Sequence, residues 1–349
     1  MRLIKQDDGD LANVCKYLRV VLRNEAKTAK LGCGNTWRWN IYQVSSLEGL
    51  ANFTALQTID MKRSSISDLS ILSSMRRLKT LDCKRTDIKD LAPLSALTQL
   101  ESLDCSCTAI ADIKPLAGLA ALKHLHCDCL FYVTDNILTS VATLSSLKTF
   151  SCRCQNQHKP IPYEISDLSP LSRLASLTTL DCHGLRNISD LSPLSNLSSL
   201  QTLVLSRCRA ISDLSPLSSL SSLCSLDCRA TKISDLSPLS SLSSLCSLDC
   251  RDTKISDLSP LFSLSSLQTL DLSYCQAIND LSPLASLSSL NTLRICSCHS
   301  ISSLSPLSSL SCLKYLDCRY CHELDLDWWN QVIDLRTTLK QLQINFHDQ

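Results

Sequence analysis

The phrase ISDLSPLSSLSSLCSLDC occurs twice, at 211–228 and 233–250, and looser copies of it run along most of the chain. A unit this short buries its leucines on one side only, so stacked neighbours must supply the rest of its core. Aligned on the first leucine of an L-x-x-L-x-[L/C] block, units start at Leu56, Leu78, Leu100, Leu122, Leu147, Leu177, Leu200, Leu223, Leu245, Leu267, Leu290 and Leu313. Most steps are 22 or 23 residues, and steps of 25 and 30 flank Leu147. Two degenerate blocks, Gly34 to Trp39 and Leu339 to Ile344, extend the series to fourteen strand-like units.

The unit starting at Leu223 shows how each copy folds. From Ser225 to Arg229 the pattern alternates, with Leu226 and Cys228 inward and Ser225, Asp227 and Arg229 outward, which is strand periodicity. A turn follows, then Ile233, Leu236, Leu239 and Leu242 point inward on the return path. There Ser237-Pro238 reads as a short helical start, the serine as N-cap and the proline at the first helical position. The strands are expected to stack in parallel, about 4.8 Å apart, as a concave face, with the serine-rich segments on the convex side.

A small polar slot sits three residues after the last inward residue of the strand. It holds Thr86, Thr108, Thr231 or Thr253 in 22-residue units and Cys208, Cys275, Cys298 or Cys321 in most longer ones. Such a side chain beneath a turn is expected to meet backbone groups that burial would otherwise orphan. The slot is read as polar and small throughout.

The 22-residue step carrying I-S-D-L-S-P-L-x-x-L resembles internalin-type repeats and the phosphatase-regulating subfamily of leucine-rich-repeat proteins, over roughly residues 34–325. The expected fold is an α/β solenoid, a right-handed superhelix with a parallel concave sheet of about 14 strands and short 3-10 or helical convex segments. The resemblance implies a scaffold that binds a protein, with a regulatory subunit as the first specific role. Such relatives share the scaffold and bind unrelated proteins.

The array spans 34–325 in this reading, between an N-terminal cap (1–33) and a C-terminal helix with a closing strand (326–349). Leu11, Val14, Leu18, Val21 and Leu22 have helical spacing after Asp10 and read as a helix covering the end of the core. The same stretch, DLANVCKYLRVVL, resembles the second half of an F-box, which implies an alternative role as substrate receptor of a ubiquitin ligase. At the other end Trp328, Trp329, Val332 and Leu335 read as an aromatic plug.

The 21 cysteines fit a core better than a disulfide frame. Cys83, Cys105, Cys127, Cys152, Cys182, Cys228, Cys250 and Cys318 hold the inward slot that Leu205, Leu272 and Ile295 fill elsewhere. Reduced thiols, no signal-like apolar segment and no membrane-length stretch point to a cytoplasmic protein; a secreted or surface adhesion protein is the third functional reading. A net charge of +1 gives no field favouring nucleic acid or an acidic membrane. Cys107, Cys129 and Cys154 recur after successive strands near His124, His126 and His158, but read as spare turn thiols rather than a metal site. No metal or cofactor is expected, and no catalytic constellation stands out among seven scattered histidines.

The outward column between the two strand apolars carries Asp60, Asp82, Asp104, Asp181, Asp227, Asp249, Asp271 and Asp317, with Gln343 in the last block. The next outward column carries Lys62, Lys84, Arg153, Arg229, Arg251 and Arg319. This face is either self-neutralised and solvated or a charged stripe that orients a partner. On the second reading the contact residues are Asp60, Asp82, Asp104, Asp227, Arg229, Asp249, Arg251, Asp271, Tyr274, Tyr315, Asp317, Arg319 and Tyr320, with Tyr274, Tyr315 and Tyr320 as anchors. A monomeric, non-enzymatic protein is expected.

Overall fold

Each coil gives only three residues to a sheet, because a tight turn follows at once. In the computed structural model, residues 30–31, 36–38, 47, 50, 54, 56–130, 136–154, 165–321, 324 and 342–345 are described. The chain divides into two compact units, Met1–Glu164 and Ile165–Gln349. The first contains strands Thr36–Arg38, Thr58–Asp60, Thr80–Asp82, Ser102–Asp104, His124–His126 and Thr149–Ser151, each parallel to the next. The second contains Thr179–Asp181, Thr202–Val204, Ser225–Asp227, Ser247–Asp249, Thr269–Asp271, Thr292–Arg294, Tyr315–Asp317 and Gln343–Asn345, again all parallel. Both units are solenoids, with the sheet on one side and 3-10 turns on the other.

Register follows the leucines. Leu226 pairs with Leu248 and Leu248 with Leu270, so Asp227, Asp249 and Asp271 line up on the outer face. A slip by one residue would expose the whole inward set, which is why the register is strict. The inward residues of strand and return path, among them Leu226, Ile233, Leu236, Leu239 and Leu242, are buried. Each such side chain contributes roughly 1.5–3 kcal/mol on removal from water. The eight inward cysteines are likewise buried, and the thiol of Cys318 is pushed up to about 12 by desolvation. They pack as small hydrophobes.

The return path departs from expectation in one respect. The 3-10 turn Ser237–Leu239 has no side-chain cap on the residue before it, Leu236. Its first N–H, that of Ser237, is taken instead by the carboxylate of Asp235 at 2.8 Å. Asp68, Asp90, Asp112, Asp167, Asp190, Asp213, Asp257 and Asp280 do the same for the residue two places on. Serine is thus the capped residue, and the aspartate of I-S-D-L-S-P is the cap. Other serines join coil to coil: the hydroxyls of Ser219, Ser241 and Ser263 donate to the carbonyls of Ser195, Ser218 and Ser240, at 2.7–2.9 Å. Those carbonyls have no sheet partner, so serine supplies one.

The polar slot closes the other side of the turn. Thr86, Thr108, Thr231 and Thr253 each donate to the carbonyl three residues back, at 2.6–2.7 Å, and Ser64 does so at 2.7 Å. The cysteines reach further. Cys208, Cys275, Cys298 and Cys321 donate to carbonyls of the preceding coil, Cys182, Cys250, Leu272 and Ile295, at 3.0–3.2 Å. The slot is not polar throughout, since Leu130 and Leu185 fill it and are buried. At Leu185 the carbonyl it would have served, that of Cys182, takes the backbone N–H of Leu185 and the thiol of Cys208.

Two residues after the last inward residue of the strand, the backbone turns left-handed. Arg63, Arg85, Cys107, Cys129, Arg207, Ala230, Asp252, Tyr274, Ser297 and Tyr320 have φ between 52° and 64°, and Gly184 has 79°. There the N–H of Ala230 bonds the carbonyl of Arg251 at 2.7 Å. The turn therefore extends the ladder by one bond and tolerates the strained conformation.

The ends and interruptions differ in detail. Lys30–Leu31, inside the stretch assigned to the cap, is a strand antiparallel to Thr36–Arg38. In the last block Leu316 pairs with Ile344 and Asp317 with Asn345. The outward place next to Asp317 therefore belongs to Asn345, and the Gln343 assignment was two residues off. The long step after Leu122 accommodates a short α-helix, Asn136–Val141. The helix expected over 10–28 and its F-box likeness, the insertion with His158, and the Trp328–Trp329 plug all lie outside the described residues.

Two stability outcomes follow from the turn. A non-glycine residue held left-handed costs about 1–2 kcal/mol, whereas glycine loses about 0.5–1 kcal/mol in chain entropy. Ala230→Gly is therefore expected to raise stability by about 0.5–1 kcal/mol in urea unfolding. Thr231→Val leaves the Cys228 carbonyl without its hydroxyl donor and is expected to cost about 1–3 kcal/mol, while Thr231→Ser retains most of the stability in the same measurement.

Candidate functional site

On the sheet face every strand-end aspartate has the same first task. The Oδ1 atoms of Asp60, Asp82, Asp104, Asp181, Asp227, Asp249, Asp271 and Asp317 accept the backbone N–H two residues on, at 3.0–3.3 Å. The matching carbonyl of the previous coil is already held by the turn slot, so this N–H has left the ladder. The carboxylate meets it. The aspartate column is a structural device before it is anything else.

In the second unit the basic column then bridges the carboxylates. Arg229 lies 3.6 Å from Asp227 and 3.4 Å from Asp249. Arg251 lies 2.7 Å from Asp249 and 3.4 Å from Asp271. Each arginine thus ties the aspartate of its own strand to that of the next, and like charges stacked a strand apart are neutralised in turn. Arg294, which interrupts the acidic column, comes within 4.0 Å of Asp271 and lies over the Tyr315 ring at 5.3 Å. Arg319 grips Asp317 at 2.7 Å. Asn345 donates to the Tyr315 hydroxyl at 2.7 Å.

The first unit repeats the pattern with lysines and then changes character. Lys62 bridges Asp60 at 3.2 Å and Asp82 at 3.5 Å, and Lys84 reaches Asp104 at 4.0 Å. On the next two coils His126 and Ser151 replace aspartate. Asp128 accepts there from the Ser151 hydroxyl at 2.5 Å and from the backbone N–H of Arg153 at 2.9 Å. Burial lowers the pKa of His124, with its neighbour His126 adding to the shift.

Desolvation raises the pKa of Asp82, Asp227 and Asp271 above the ordinary carboxylate value, and like-charged neighbours reinforce it. Hydrogen bonding to Asp60 raises Lys62, and hydrogen bonding to Asp249 raises Arg251. Asp68, Asp167, Asp190, Asp213, Asp235, Asp257 and Asp280, which cap a serine, shift the opposite way, because that serine hydrogen-bonds the charged form.

Of the residues singled out in the sequence, Tyr315, Asp317 and Arg319 come together on the last coils, joined by Arg294 and Asn345. Tyr274 and Tyr320 occupy the left-handed turn row at the rim, and at 53% and 45% exposure they are among the most exposed large side chains. The leucine alternation places Arg294 in the outward column but says nothing of its contacts, and Asn345 is visible only once the register of the last strand is known. Cys318 and Cys321 are both buried. Among the described residues no group of three or more His, Cys, Asp or Glu side chains is placed to hold a metal ion, and no helix is long and apolar enough to cross a membrane.

The sequence matches the family model described as Leucine-rich repeat region over residues 30–260, and a model of two leucine-rich repeats over 243–286. None of the curated proteins matches. Among solved structures, an internalin (inlF) from Listeria monocytogenes is similar at 26% identity and a TM-score of 0.74, over 98% of this chain and 96% of that one. The functional domain of InlJ from the same organism, which includes a cysteine ladder, is 22% identical with a TM-score of 0.65, over 90% and 68%. A leucine-rich-repeat protein of Leptospira interrogans is 16% identical with a TM-score of 0.59, over 86% of each chain. The last two likenesses are of fold alone.

A raised carboxylate weakens the folded state at neutral pH, and the loss is relieved as pH falls through its folded value toward about 3.9. Asp271→Asn keeps an oxygen for the Ser273 N–H. Its stability at pH 7 is expected to equal or exceed that of the parent, and the advantage should shrink on acidification when denaturation is followed at both pH values.

Proposed function

The chain belongs to the leucine-rich-repeat family, and from that premise we propose that it is a protein-binding scaffold, not a catalyst, whose sheet face receives the partner. The observation that carries this reading is the double use of the aspartate column. Each carboxylate is pinned by a backbone N–H, and in Arg229, Arg251 and Lys62 a single cation spans two of them. The backbone orders the aspartates whether or not a partner exists, and the bridging cations fix a second row beside them. Charges held in place before binding cost a partner less entropy than charges on free side chains. They also set its orientation, through a negative and a positive row that each repeat at the spacing of the strands.

The partner that fits is a protein presenting complementary rows, basic groups toward the aspartates and acidic groups toward Arg229, Arg251, Arg294 and Arg319. Tyr315 under Arg294, with Tyr274 and Tyr320 at the rim, supplies aromatic contact of the kind that dominates binding energy. A regulatory subunit uses a face in this way, by holding another protein rather than acting on it. The assignment to the cell interior belongs to the same proposal and rests on the thiols, since the 19 cysteines of the described set are unbridged.

The test is affinity capture with the full chain, followed by titration of the captured protein. Reversing Arg251 and Arg319 together to Glu is expected to weaken binding at least about tenfold, with a smaller salt dependence, since this removes charges that pair across the interface. Reversal that leaves the titration unchanged, while a return-side change such as Ser241→Lys abolishes it, would place the partner on the other face.

A further inference from the structure

Cys107 and Cys129 hold the same place on consecutive coils, two residues beyond the inward Cys105 and Cys127. The strands they follow are paired in register, Asp104 beside His126. Both are left-handed, with φ of 57° and 52°, and both are half-exposed at the edge of the sheet. Their backbones are anchored alike: the N–H of Cys107 bonds the carbonyl of Asp128, and that of Cys129 the carbonyl of Arg153, each at 2.7 Å. In-register neighbours sit about 4.8 Å apart, within the Cα separation of about 4.4–6.8 Å that a disulfide needs. The two thiols hydrogen-bond one another, and Arg85, on the coil before, also hydrogen-bonds Cys107. That hydrogen bond from Cys129, with Arg85 and Lys84 beside it, brings the Cys107 thiol down to about 6 against the opposing effect of burial.

The molecule contains its own control. Cys224 and Cys246 also lie on consecutive coils, are half-exposed, and hydrogen-bond each other. Of the two sites only Cys107 has positive charge beside it, since what acts on Cys246 is its bond to Cys224 and burial. The cationic side chains on the coil before Cys107 separate the two pairs, because a thiolate beside positive charge is the reactive form.

We propose that Cys107 is a peroxide-reactive thiolate and that Cys129 is its resolving partner, so that oxidation links two adjacent coils through a disulfide. The Cys107 sulfur attacks one oxygen of hydrogen peroxide and the O–O bond breaks. The departing oxygen leaves as water after taking up a proton, and the sulfur becomes a sulfenic acid. The Cys129 sulfur gives up its proton and attacks the Cys107 sulfur, the S–O bond breaks, and a second water leaves. Two thiols and one peroxide thus yield one disulfide and two waters, with two electrons passing from sulfur to oxygen. The linked turn flanks Lys84 and Asp128 on the sheet face, so its state bears on that edge of the surface.

The test uses the full reduced chain. Iodoacetamide is expected to label Cys107 at least about tenfold faster than Cys246 at pH 7, with half-maximal rate near the thiol's value of about 6. One equivalent of hydrogen peroxide should then remove two hydrogens from the intact mass, with peptide mapping placing the link at Cys107–Cys129. Cys129→Ser should leave a sulfenic acid on Cys107 that dimedone traps, and Cys107→Ser should abolish both products. Serine suits the turn, since Ser297 holds the equivalent place at φ 58°. Arg85→Gln should move the labelling midpoint to higher pH. Equal labelling of Cys107 and Cys246, or a first link at Cys224–Cys246, would overturn the proposal.

Discussion

The turn that ends every strand governs the rest of the molecule. A strand of three residues leaves its ladder almost as soon as it joins it, and a buried N–H or carbonyl without a partner costs more than most contacts contribute. The chain draws on three devices, of which most coils use all and some only part. A left-handed residue extends the ladder by one bond, as Ala230 does toward Arg251. Thr231 or its equivalents take the carbonyl that falls out of register. Asp227 or its equivalents take the N–H on the other side. With these in place the leucines can stack without leaving a polar gap in the wall of the core.

That solution also produces the surface proposed to bind. An aspartate required by the backbone recurs on every such coil, so the coils carry a negative column whether or not a partner exists. The cost shows in Asp82, Asp227 and Asp271, whose charged forms are disfavoured by burial and by the aspartates of neighbouring coils. Arginines and lysines two residues on relieve it by bridging neighbours. The result is a row of ordered charges of both signs, a by-product of turn chemistry suited to recognition. Where aspartate gives way to His126 and Ser151, the same face becomes local and hydrogen-bonded.

Much of this was legible in the residues. The strand positions, the inward cysteines and the two outward columns follow from a period of 22 or 23 and the alternation within each block. The misreadings share one cause. Serine before proline resembles a helix cap, and only the geometry shows Asp235 two residues earlier doing that work. The final block offers leucine at two spacings, and the pairing of Leu316 with Ile344 decides between them. Leu185 in a polar slot looks like a defect until Cys208, a coil later, is seen on the carbonyl of Cys182.

By itself, then, the sequence determined the coil: its length, which side chains face inward, and that neighbours must stack, because apolar periodicity is a property of consecutive residues. The tertiary structure alone decided which polar atom serves which backbone group, and which cation meets which carboxylate. The partners on different coils lie 20 to 26 residues apart. Distance across coils is set by how they pack, and no pattern within one coil encodes it.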